Sequence, residues 1–450
     1  MAVGKCAAMR IAKPTKGTKM KLKISEKSYD EVMALPKREH HKPTIPPFPA
    51  RTLTKVLSIP ALVRTRFRSK KIGMEKLEKN EPALFLMNHS TFIDVEIMAS
   101  MLYPRKINIV TTAEVFIGLD WLLRKVGCFP TNRFTADTRL VRDILHAVRK
   151  NKTSVVIYPE AGYTLDGTHT EMGKTTGKLI KLLKIPVVII KTEGAFHHDP
   201  IYNGLQVRRN KVSATMTYLL SKEQIENMSV EEINAIIDKE FDYDHFKWQK
   251  DNNVKIKAPT RADYLDKILY KCPHCMAEGK TEGKGTKLTC HACGKVYTMD
   301  EYGQMHADDG VTEFSHIPDW TSWERKCVRE EIDRGDYILD ADVDIIIFKD
   351  TKSLYRVGSG RLKHTVDGLV LDGCDGKLHY RHKPLCYHTI YADFHWFEIG
   401  DMIAVGNPDI TYYCFPKDKS VSVLKARYAA EHIYKIKKAE KKAAKLGASK

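Results

Sequence analysis

Long apolar runs are missing from this sequence of 450 residues. Its longest ones, such as PALFLM at 82–87 and IPVVII at 185–190, are far shorter than the roughly 18–20 residues that a membrane-spanning helix needs. The first 30 residues contain no apolar segment of the secretory type. Cysteine is also scarce. The whole chain has 10 cysteines, which is too few for a disulfide-stapled scaffold. We therefore expect no transmembrane helix, a cytoplasmic location and reduced thiols.

The rest of the composition is ordinary for a folded protein, with 43% hydrophobic and 29% charged residues. These values exclude a fully disordered or fibrous chain. At about 150 residues per domain, the length allows two or three domains.

The net charge of +18 is concentrated near the ends of the chain. Residues 1–50 carry 11 Lys or Arg against 4 Asp or Glu, and residues 51–80 and 421–450 each carry 9 against 2. The intervening residues are slightly acidic overall. Basic ends favour binding to an anionic membrane surface, here the inner face of the membrane. The acidic body argues against extended contact with nucleic acid.

Changes in composition divide the chain into five parts. Residues 1–45 are rich in Lys without a sustained period, which predicts a disordered basic tail. Within the next part, residues 52–68 mix apolar and basic positions around Pro60. This segment fits either two short helices on a membrane surface or an ordinary packed helix pair. The other parts are an α/β domain at 46–255, a Cys-rich segment with a flanking helix at 256–310, a helical linker at 311–335 and a β-rich domain with a basic C-terminal helix at 336–450.

Short apolar segments alternate with amphipathic ones between residues 82 and 220. This alternation predicts an α/β domain with a mixed, largely parallel sheet and helices on both faces. The segment VSATMTYL at 212–219 is expected to add an outer strand.

The segment Asn88–Asp94 reads NHSTFID and follows directly after a predicted buried strand. The carboxyl end of such a strand is the usual position of a site in an α/β sheet. An Asp on the first turn of the following helix can hold one ring nitrogen of His89, which leaves the other nitrogen free to act as a base. No Gly-x-Ser-x-Gly nucleophile motif accompanies the pair. His89 and Asp94 are therefore predicted to deprotonate a hydroxyl group directly.

Four segments in this order resemble the motifs of the PlsC-like glycerol-phosphate and lysophosphatidic acid acyltransferases. The resemblance covers about residues 50–225. It is carried by His89 to Asp94, by GCFPTNR at 127–133, by YPEAG at 158–162 and by IPVVI at 185–189.

The resemblance implies a role for each motif. His89 would be the general base on an acceptor hydroxyl that attacks an acyl thioester, and Asp94 would orient it. Arg133 would bind the phosphate of the acceptor, with a planar fork that suits its oxygens. The remaining acceptor-binding positions implied are Asn88, Glu160 and Gly162.

The third motif departs from the family, in which Gly-Thr-Arg is common. Here Gly162 is followed by Tyr163, so the second phosphate-binding arginine is absent. Lys174 and Lys178 are the predicted replacements. The other interpretation is that the acceptor lacks a simple phosphomonoester.

Two Cys-x-x-Cys pairs, Cys272 with Cys275 and Cys290 with Cys293, are separated by fourteen residues. This spacing predicts a zinc ribbon with four thiolate ligands. Four protein ligands leave no open position, so the zinc would be structural.

The strand-like segments at 337–415 and the helix after them resemble a pleckstrin-homology-like module. The function implied for the whole chain is that of a peripheral-membrane O-acyltransferase in phospholipid synthesis or remodelling. It would use acyl-CoA or acyl-ACP as the donor and a glycerol-phosphate-like or lysophospholipid acceptor. The alternative is a catalytically inactive zinc-ribbon protein that binds lipid or nucleic acid.

Overall fold

The computed structural model describes residues 22–133, 137–170 and 172–447. Within these ranges the chain forms three sheets. The helices are α1 (Tyr29–Met33), α2 (Phe48–Arg64), α3 (Ile93–Leu102), α4 (Asp120–Lys125), α5 (Thr138–Leu145), α6 (Thr175–Leu183), α7 (Ala195–His198), α8 (Lys222–Asn227), α9 (Val230–Glu240), α10 (His245–Asp251), α11 (Ile317–Arg334) and α12 (Val423–Gly447). No helix of the described ranges is both long and apolar enough to cross a membrane.

The first sheet has seven strands and belongs to the α/β domain. They are β2 (Arg68–Ile72), β3 (Leu84–Met87), β4 (Ile107–Thr112), β5 (Cys128–Thr131), β6 (Ser154–Ile157), β7 (Val187–Glu193) and β8 (Ser213–Leu220). Their order is β2-β8-β7-β3-β6-β4-β5. All neighbouring pairs are parallel except β7 with β8. The predicted mixed sheet is therefore present.

Helices cover both faces of this sheet, and successive residues of β3 show why its sequence is continuously apolar. Phe85 and Met87 pack on one face with the apolar side of α3. Leu84 and Leu86 pack on the other face with α6 and α9. Because side chains alternate across a strand, a strand covered on both sides is apolar at every position.

The two edge strands of the sheet, β2 and β5, were not predicted. All five residues of β2 are exposed, and its sequence RSKKI has no apolar alternation. The strand β2 pairs with β8, so the 212–219 segment lies one strand inside the edge and not at the outside as expected.

The predicted pair of helices at 52–68 is instead one helix, α2, which continues through Pro60 to Arg64.

The N-terminal segment is ordered from residue 22, which corrects the prediction of disorder up to residue 45. Residues 1–21 lie outside the described ranges. The strand β1 (Ile24–Glu26) adds to the C-terminal sheet, and Ser28 with Glu31 forms a capping box at the start of α1. Further along, the Arg38 guanidinium stacks on Phe348 and donates a hydrogen bond to Asn132. This segment is ordered because it bridges two domains.

The Cys-rich segment forms a four-stranded antiparallel ribbon in the order β12-β11-β10-β9. Its strands are β9 (Thr281–Lys284), β10 (Lys287–Cys290), β11 (Val296–Met299) and β12 (Met305–Ala307). The flanking helix predicted for this segment is replaced by turns and one short 3-10 turn, Leu265–Lys267. The region predicted as a helical linker contains α11, whose Trp320 and Val328 are fully buried.

The third sheet is antiparallel except where β1 joins it. Its strands are β13 (Leu339–Phe348), β14 (Leu354–Thr365), β15 (Gly368–Gly373), β16 (Leu378–His382), β17 (Tyr391–Trp396), β18 (Gly400–Gly406) and β19 (Thr411–Pro416). Their order is β16-β15-β14-β13-β19-β18-β17, with β1 paired to β14. The helix α12 follows, as expected; its first half packs against the sheet and α11, while residues 438–446 are exposed.

One hydrophobic core joins the α/β domain to the ribbon, α11 and the β-rich domain. Phe196, Tyr202 and Phe246 of the α/β domain belong to the same buried cluster as Trp320. The ribbon approaches so closely at Gly303 that a Cβ there would lie 2.8 Å from the Phe246 ring. The parts of the chain therefore depend on one another for burial of apolar surface.

We expect a fragment that ends at residue 255 to aggregate when it is expressed alone. Cutting the chain there would expose Phe196, Tyr202 and Phe246, which are fully buried in the whole protein. Each such side chain contributes about 1.5–3 kcal/mol through burial. Size-exclusion chromatography and thermal melting of the 46–255 fragment, beside the full chain, test this. A monomeric fragment with a cooperative melting transition would contradict it.

Candidate active site and metal centre

The candidate site lies at the carboxyl ends of the parallel strands of the first sheet. The loop that contains His89 follows β3, and Glu114 follows β4. Arg133 comes after β5, and the segment 158–163 follows β6. Because parallel strands end at the same edge of a sheet, these segments meet although the sequence separates them.

His89 and Asp94 form the predicted pair. The His89 Nδ1 lies 3.1 Å from Asp94 Oδ2. The same oxygen accepts hydrogen bonds from the backbone N–H groups of Ser90, at 2.7 Å, and Thr91, at 3.0 Å. Asp94 is fully buried on the first turn of α3. The turn from β3 into α3 therefore builds a rigid carboxyl acceptor behind the imidazole ring.

Two tyrosine rings enclose the imidazole of His89. The ring centroids of Tyr158 and Tyr163 each lie 4.0 Å from that of His89. Burial, together with the nearby Arg133 cation, lowers the pKa of His89 well below its usual value of 6.5. Burial acts to raise the pKa of Asp94, whereas the backbone N–H donors of Thr91 and Ser90 act to lower it. His89 is therefore neutral at physiological pH, as a base must be.

Asn88 and Ser90 anchor the loop to its neighbours. The Asn88 Oδ1 accepts a hydrogen bond from the Thr192 N–H at 2.8 Å, and its Nδ2 donates to the Thr192 carbonyl at 3.3 Å. Ser90 Oγ lies 3.1 Å from Nε2 of the buried His245. Asn88 was predicted to bind the acceptor, but its amide group is engaged in joining β3 to β7.

The second motif begins at Gly127, whose backbone geometry requires a glycine. Its φ is +93°, and a Cβ there would lie 2.5 Å from the Ile107 carbonyl oxygen. This close approach allows β5 to pair with β4 and brings the chain to Arg133 at the edge of the sheet.

Arg133 faces the β-rich domain. Its guanidinium lies 4.4 Å from the centroid of the Tyr391 ring, on β17. Its buried Nη1 has no hydrogen-bond partner among the described residues. Burial acts to lower the pKa of Arg133, but the surrounding groups, including Glu114 and Asp393, outweigh it and raise the pKa. The two N–H groups of this Nη1 thus have no acceptor within the part of the chain that the structure describes.

Glu160 and Gly162 lie close to His89 in different ways. Glu160 is buried and its Oε2 accepts hydrogen bonds from the Thr170 N–H at 3.0 Å and the Tyr243 hydroxyl at 2.7 Å. Burial raises the pKa of Glu160 to about 7. These contacts of Glu160 hold the loop after β6 in place. Gly162, on the same loop, lines the second of the two cavities described next.

Two small cavities lie between the α/β domain and the β-rich domain. The first cavity is lined by Arg133, Glu114, His382, Thr389 and Tyr391, among others. It offers about 10 Å³ to water, which is room for about one molecule. The first cavity thus lies between Arg133 and residues of the β-rich domain, including Tyr391 on β17.

The second cavity has the same size, about 10 Å³. It is lined by Gly162, Tyr163, Tyr391, Asp393 and Arg427, together with apolar residues. Tyr391 lines both cavities, so its side chain is a common wall between them.

Lys174 and Lys178, the predicted replacements for the missing arginine, lie at the start of α6 and are exposed. Neither lysine lines either cavity. Sequence reasoning missed the residues that do face the site from the C-terminal half, Tyr391, Asp393 and Arg427. No local motif marks these residues, because only the packing of the two domains brings them to the site.

The four predicted zinc ligands come together in the ribbon. The Sγ atoms of Cys272 and Cys293 are 3.8 Å apart, and those of Cys275 and Cys290 are 3.7 Å apart. All four Sγ atoms lie within 4.8 Å of one another. A tetrahedral zinc ion with Zn–S bonds of about 2.3 Å separates its sulfur ligands by about 3.8 Å. The cluster therefore fits a four-thiolate zinc ion.

Comparison with known proteins agrees with the four motifs. Residues 68–191 match the model of the Acyltransferase family. The chain thus contains an acyltransferase-like region at residues 68–191. A search of solved structures finds the 1-acyl-sn-glycerophosphate (LPA) acyltransferase PlsC from Thermotoga maritima, at 15% identity and a TM-score of 0.35, covering 42% of this chain and 78% of that one. A search of curated proteins finds no match.

The region matched by the acyltransferase family contains His89, Asp94, Arg133 and Glu160. The ribbon and the β-rich domain lie outside it. Tyr391, Asp393 and Arg427 are therefore contributed to the candidate site by a part of the chain that the family model does not cover.

We expect one zinc ion per chain in protein that is purified without added metal. Serine in place of Cys290 should remove the ion and lower the melting temperature, because metal binding contributes folding energy to a small ribbon. Serine in place of Cys386, which is exposed and lies outside the cluster, is the matched control. Elemental analysis and thermal melting measure both effects. A metal-free preparation with the stability of the untreated protein would contradict the prediction.

Proposed function

We propose that this protein is a peripheral-membrane acyltransferase of phospholipid synthesis or remodelling. It moves a fatty acyl chain from acyl-CoA or acyl-ACP to a hydroxyl group of a glycerol-phosphate-like acceptor or a lysophospholipid. The observation that carries the proposal is the pair of His89 and Asp94, with Nδ1 3.1 Å from Oδ2.

In the proposed reaction, the acceptor hydroxyl attacks the thioester carbonyl carbon while His89 Nε2 takes its proton. The tetrahedral intermediate then collapses, the C–S bond breaks, and the thiol leaves with the proton that His89 returns. Asp94 holds the ring through Nδ1 and stabilises the imidazolium that forms between these steps. The products are an ester and a free thiol.

Arg133 supports a phosphate-bearing acceptor. A guanidinium presents its N–H donors in a fork that matches phosphate oxygens. The Arg133 side chain lines the first cavity, and its Nη1, which has no hydrogen-bond partner among the described residues, could donate to such an anion. An anion at Arg133 would be positioned beside the enclosed His89.

The helix α2 provides a surface for membrane binding. Its exposed side carries Phe48, Leu53, Val56, Ile59 and Val63. Four exposed cations follow nearby in the chain, Arg66, Arg68, Lys70 and Lys71. An exposed apolar side beside a basic strand suits insertion into an anionic bilayer surface. This arrangement favours the surface-helix interpretation of the segment.

Alanine in place of His89 should lower acyl transfer by about a hundredfold to ten-thousandfold, because general base catalysis contributes this much. Asparagine in place of Asp94 should cause a similar loss through the lost orientation of the ring. Transfer of a radiolabelled acyl chain from acyl-CoA or acyl-ACP to a panel of acceptors measures the effect. The panel contains glycerol 3-phosphate, lysophosphatidate, lysophospholipids with a head group and lyso-glycolipids.

The control is His169→Ala, which changes a half-exposed histidine whose ring lies beside Asp242. This variant should retain normal turnover. If His89→Ala transferred acyl chains at nearly the normal rate, the catalytic assignment would be wrong. If no acceptor in the panel were acylated by the unaltered protein, the catalytically inactive lipid-binding alternative would replace the proposal.

Aspartate in place of Val63 should weaken binding to anionic vesicles by at least tenfold. The substitution removes an apolar side chain worth about 1.5–3 kcal/mol when buried in lipid and adds a charge repelled by the anionic surface. Vesicle flotation with phosphatidylglycerol bilayers measures binding, which should also fall as the salt concentration rises.

Val311 offers a matched control, since its side chain is 66% exposed and that of Val63 is 70% exposed. The Val311→Asp variant, altered next to the ribbon, should bind vesicles normally. Equal losses in the two variants, or binding that is insensitive to salt, would count against α2 as the membrane surface.

A further inference from the structure

Arg427 is a buried arginine that reaches the candidate site from the C-terminal helix. It lies in the first part of α12 and is 4% exposed. Its side chain lines the second cavity beside Gly162 and Tyr163 of the third motif. Because the Tyr163 ring centroid lies 4.0 Å from that of His89, this cavity lies next to the proposed base.

Arg427 shares the carboxylate of Glu431 with a second arginine, Arg325, on which the charge of Asp166 also acts. Glu431 Oε1 accepts a hydrogen bond from Arg427 Nε at 3.1 Å, and its Oε2 accepts one from Arg325 Nη1 at 2.6 Å. Burial acts to raise the pKa of Glu431, but the two arginines outweigh burial and lower it to about 2. One ionised carboxylate is thus shared between two permanent cations.

The Nη atoms of Arg427 are not used by this cluster. Among the described residues, the hydrogen bond that Arg427 forms runs through Nε, to Glu431. Its charge also acts to lower the pKa of Glu160, which shows that its field reaches the third motif. Buried N–H donors of a cation that line a cavity are suited to an anion.

The side chain of Tyr391 lines both the cavity that contains Arg133 and the cavity that contains Arg427. Each cavity holds about one water molecule, so a phosphate group needs both. Joining the two cavities into one chamber requires a displacement of the Tyr391 side chain, whose hydroxyl donates a hydrogen bond to Asp393 Oδ2 at 2.8 Å. Asp393 is an acidic side chain of this wall; burial raises its pKa, whereas the Arg133 cation acts to lower it.

We propose that Arg427 is the second cation of the acceptor site and binds, together with Arg133, the phosphate of an acceptor that carries a phosphomonoester. This inference rests on the proposed function. It replaces Lys174 and Lys178, which the structure leaves exposed outside both cavities. It also makes the helix α12, from outside the acyltransferase domain, a determinant of acceptor specificity.

The test compares Arg427→Gln with Arg325→Gln. Both arginines pair with Glu431, but Arg427 lines the second cavity and Arg325 does not. A hydrogen bond to a charged group corresponds to about a tenfold to hundredfold change in affinity. The Arg427→Gln variant should therefore raise KM for lysophosphatidate about tenfold to hundredfold, with KM for the acyl donor unchanged. The Arg325→Gln variant should leave KM for lysophosphatidate nearly unchanged.

Monoacylglycerol, which lacks the phosphate, serves as a second acceptor. Its KM should be the same for the unaltered protein and for Arg427→Gln. Equal effects of the two arginine variants on KM for lysophosphatidate would overturn the inference, as would an equal loss with monoacylglycerol. Thermal melting monitors folding, and if Arg427→Gln does not fold, Arg427→Lys keeps the charge and should show a smaller rise in KM.

A binding measurement separates this inference from the proposed function. Titration calorimetry of glycerol 3-phosphate with the His89→Ala protein, with and without Arg427→Gln, needs no turnover. Affinity that falls at least tenfold on loss of Arg427 would support the inference even if the unaltered protein acylated no acceptor. Unchanged affinity, or no measurable binding to the His89→Ala protein, would overturn it.

Discussion

The packing of an antiparallel sheet against the carboxyl ends of parallel strands is the constraint on which the candidate site depends. In an α/β domain these strand ends usually open to solvent, and their polar loops are hydrated. Here β17 and α12 cover them, so charged groups such as Arg133 must find partners inside the protein. That burial accounts for the tyrosine rings around His89, for the Glu431 carboxylate that two arginines share, and for the small cavities at the junction.

Burial explains the chemistry assigned to the pair at the centre of the site. In water, His89 would be partly protonated near neutral pH, whereas burial and Arg133 keep it neutral. The carboxyl group behind it is held by two backbone N–H groups, which are available because they lie at the start of α3. The turn from β3 into α3 thus fixes the position of the carboxyl group, while burial and Arg133 keep the ring neutral.

How much of the structure could be predicted from the sequence depends on how far apart in the chain the interacting residues lie. The motif from Asn88 to Asp94 and the four cysteines depend on contacts between residues close in the chain, and local spacing reveals them. The edge strand β2 was missed because it is exposed and carries no apolar pattern. The order of residues 22–45 was missed because that segment is stabilised by distant partners such as Phe348. Lys174, chosen for its nearness in the sequence, is exposed and lines neither cavity.

Sequence alone determined the acyltransferase motifs, the candidate base with its orienting carboxylate, and the set of four thiolates, because each is written in a short stretch of chain with its own spacing. Tertiary structure decided what surrounds them. Tyr391, Asp393 and Arg427 reach the site through the burial of one hydrophobic core shared by the domains. Apolar burial depends on area and shape, not on sequence separation, so it leaves no local pattern from which these contacts could be predicted.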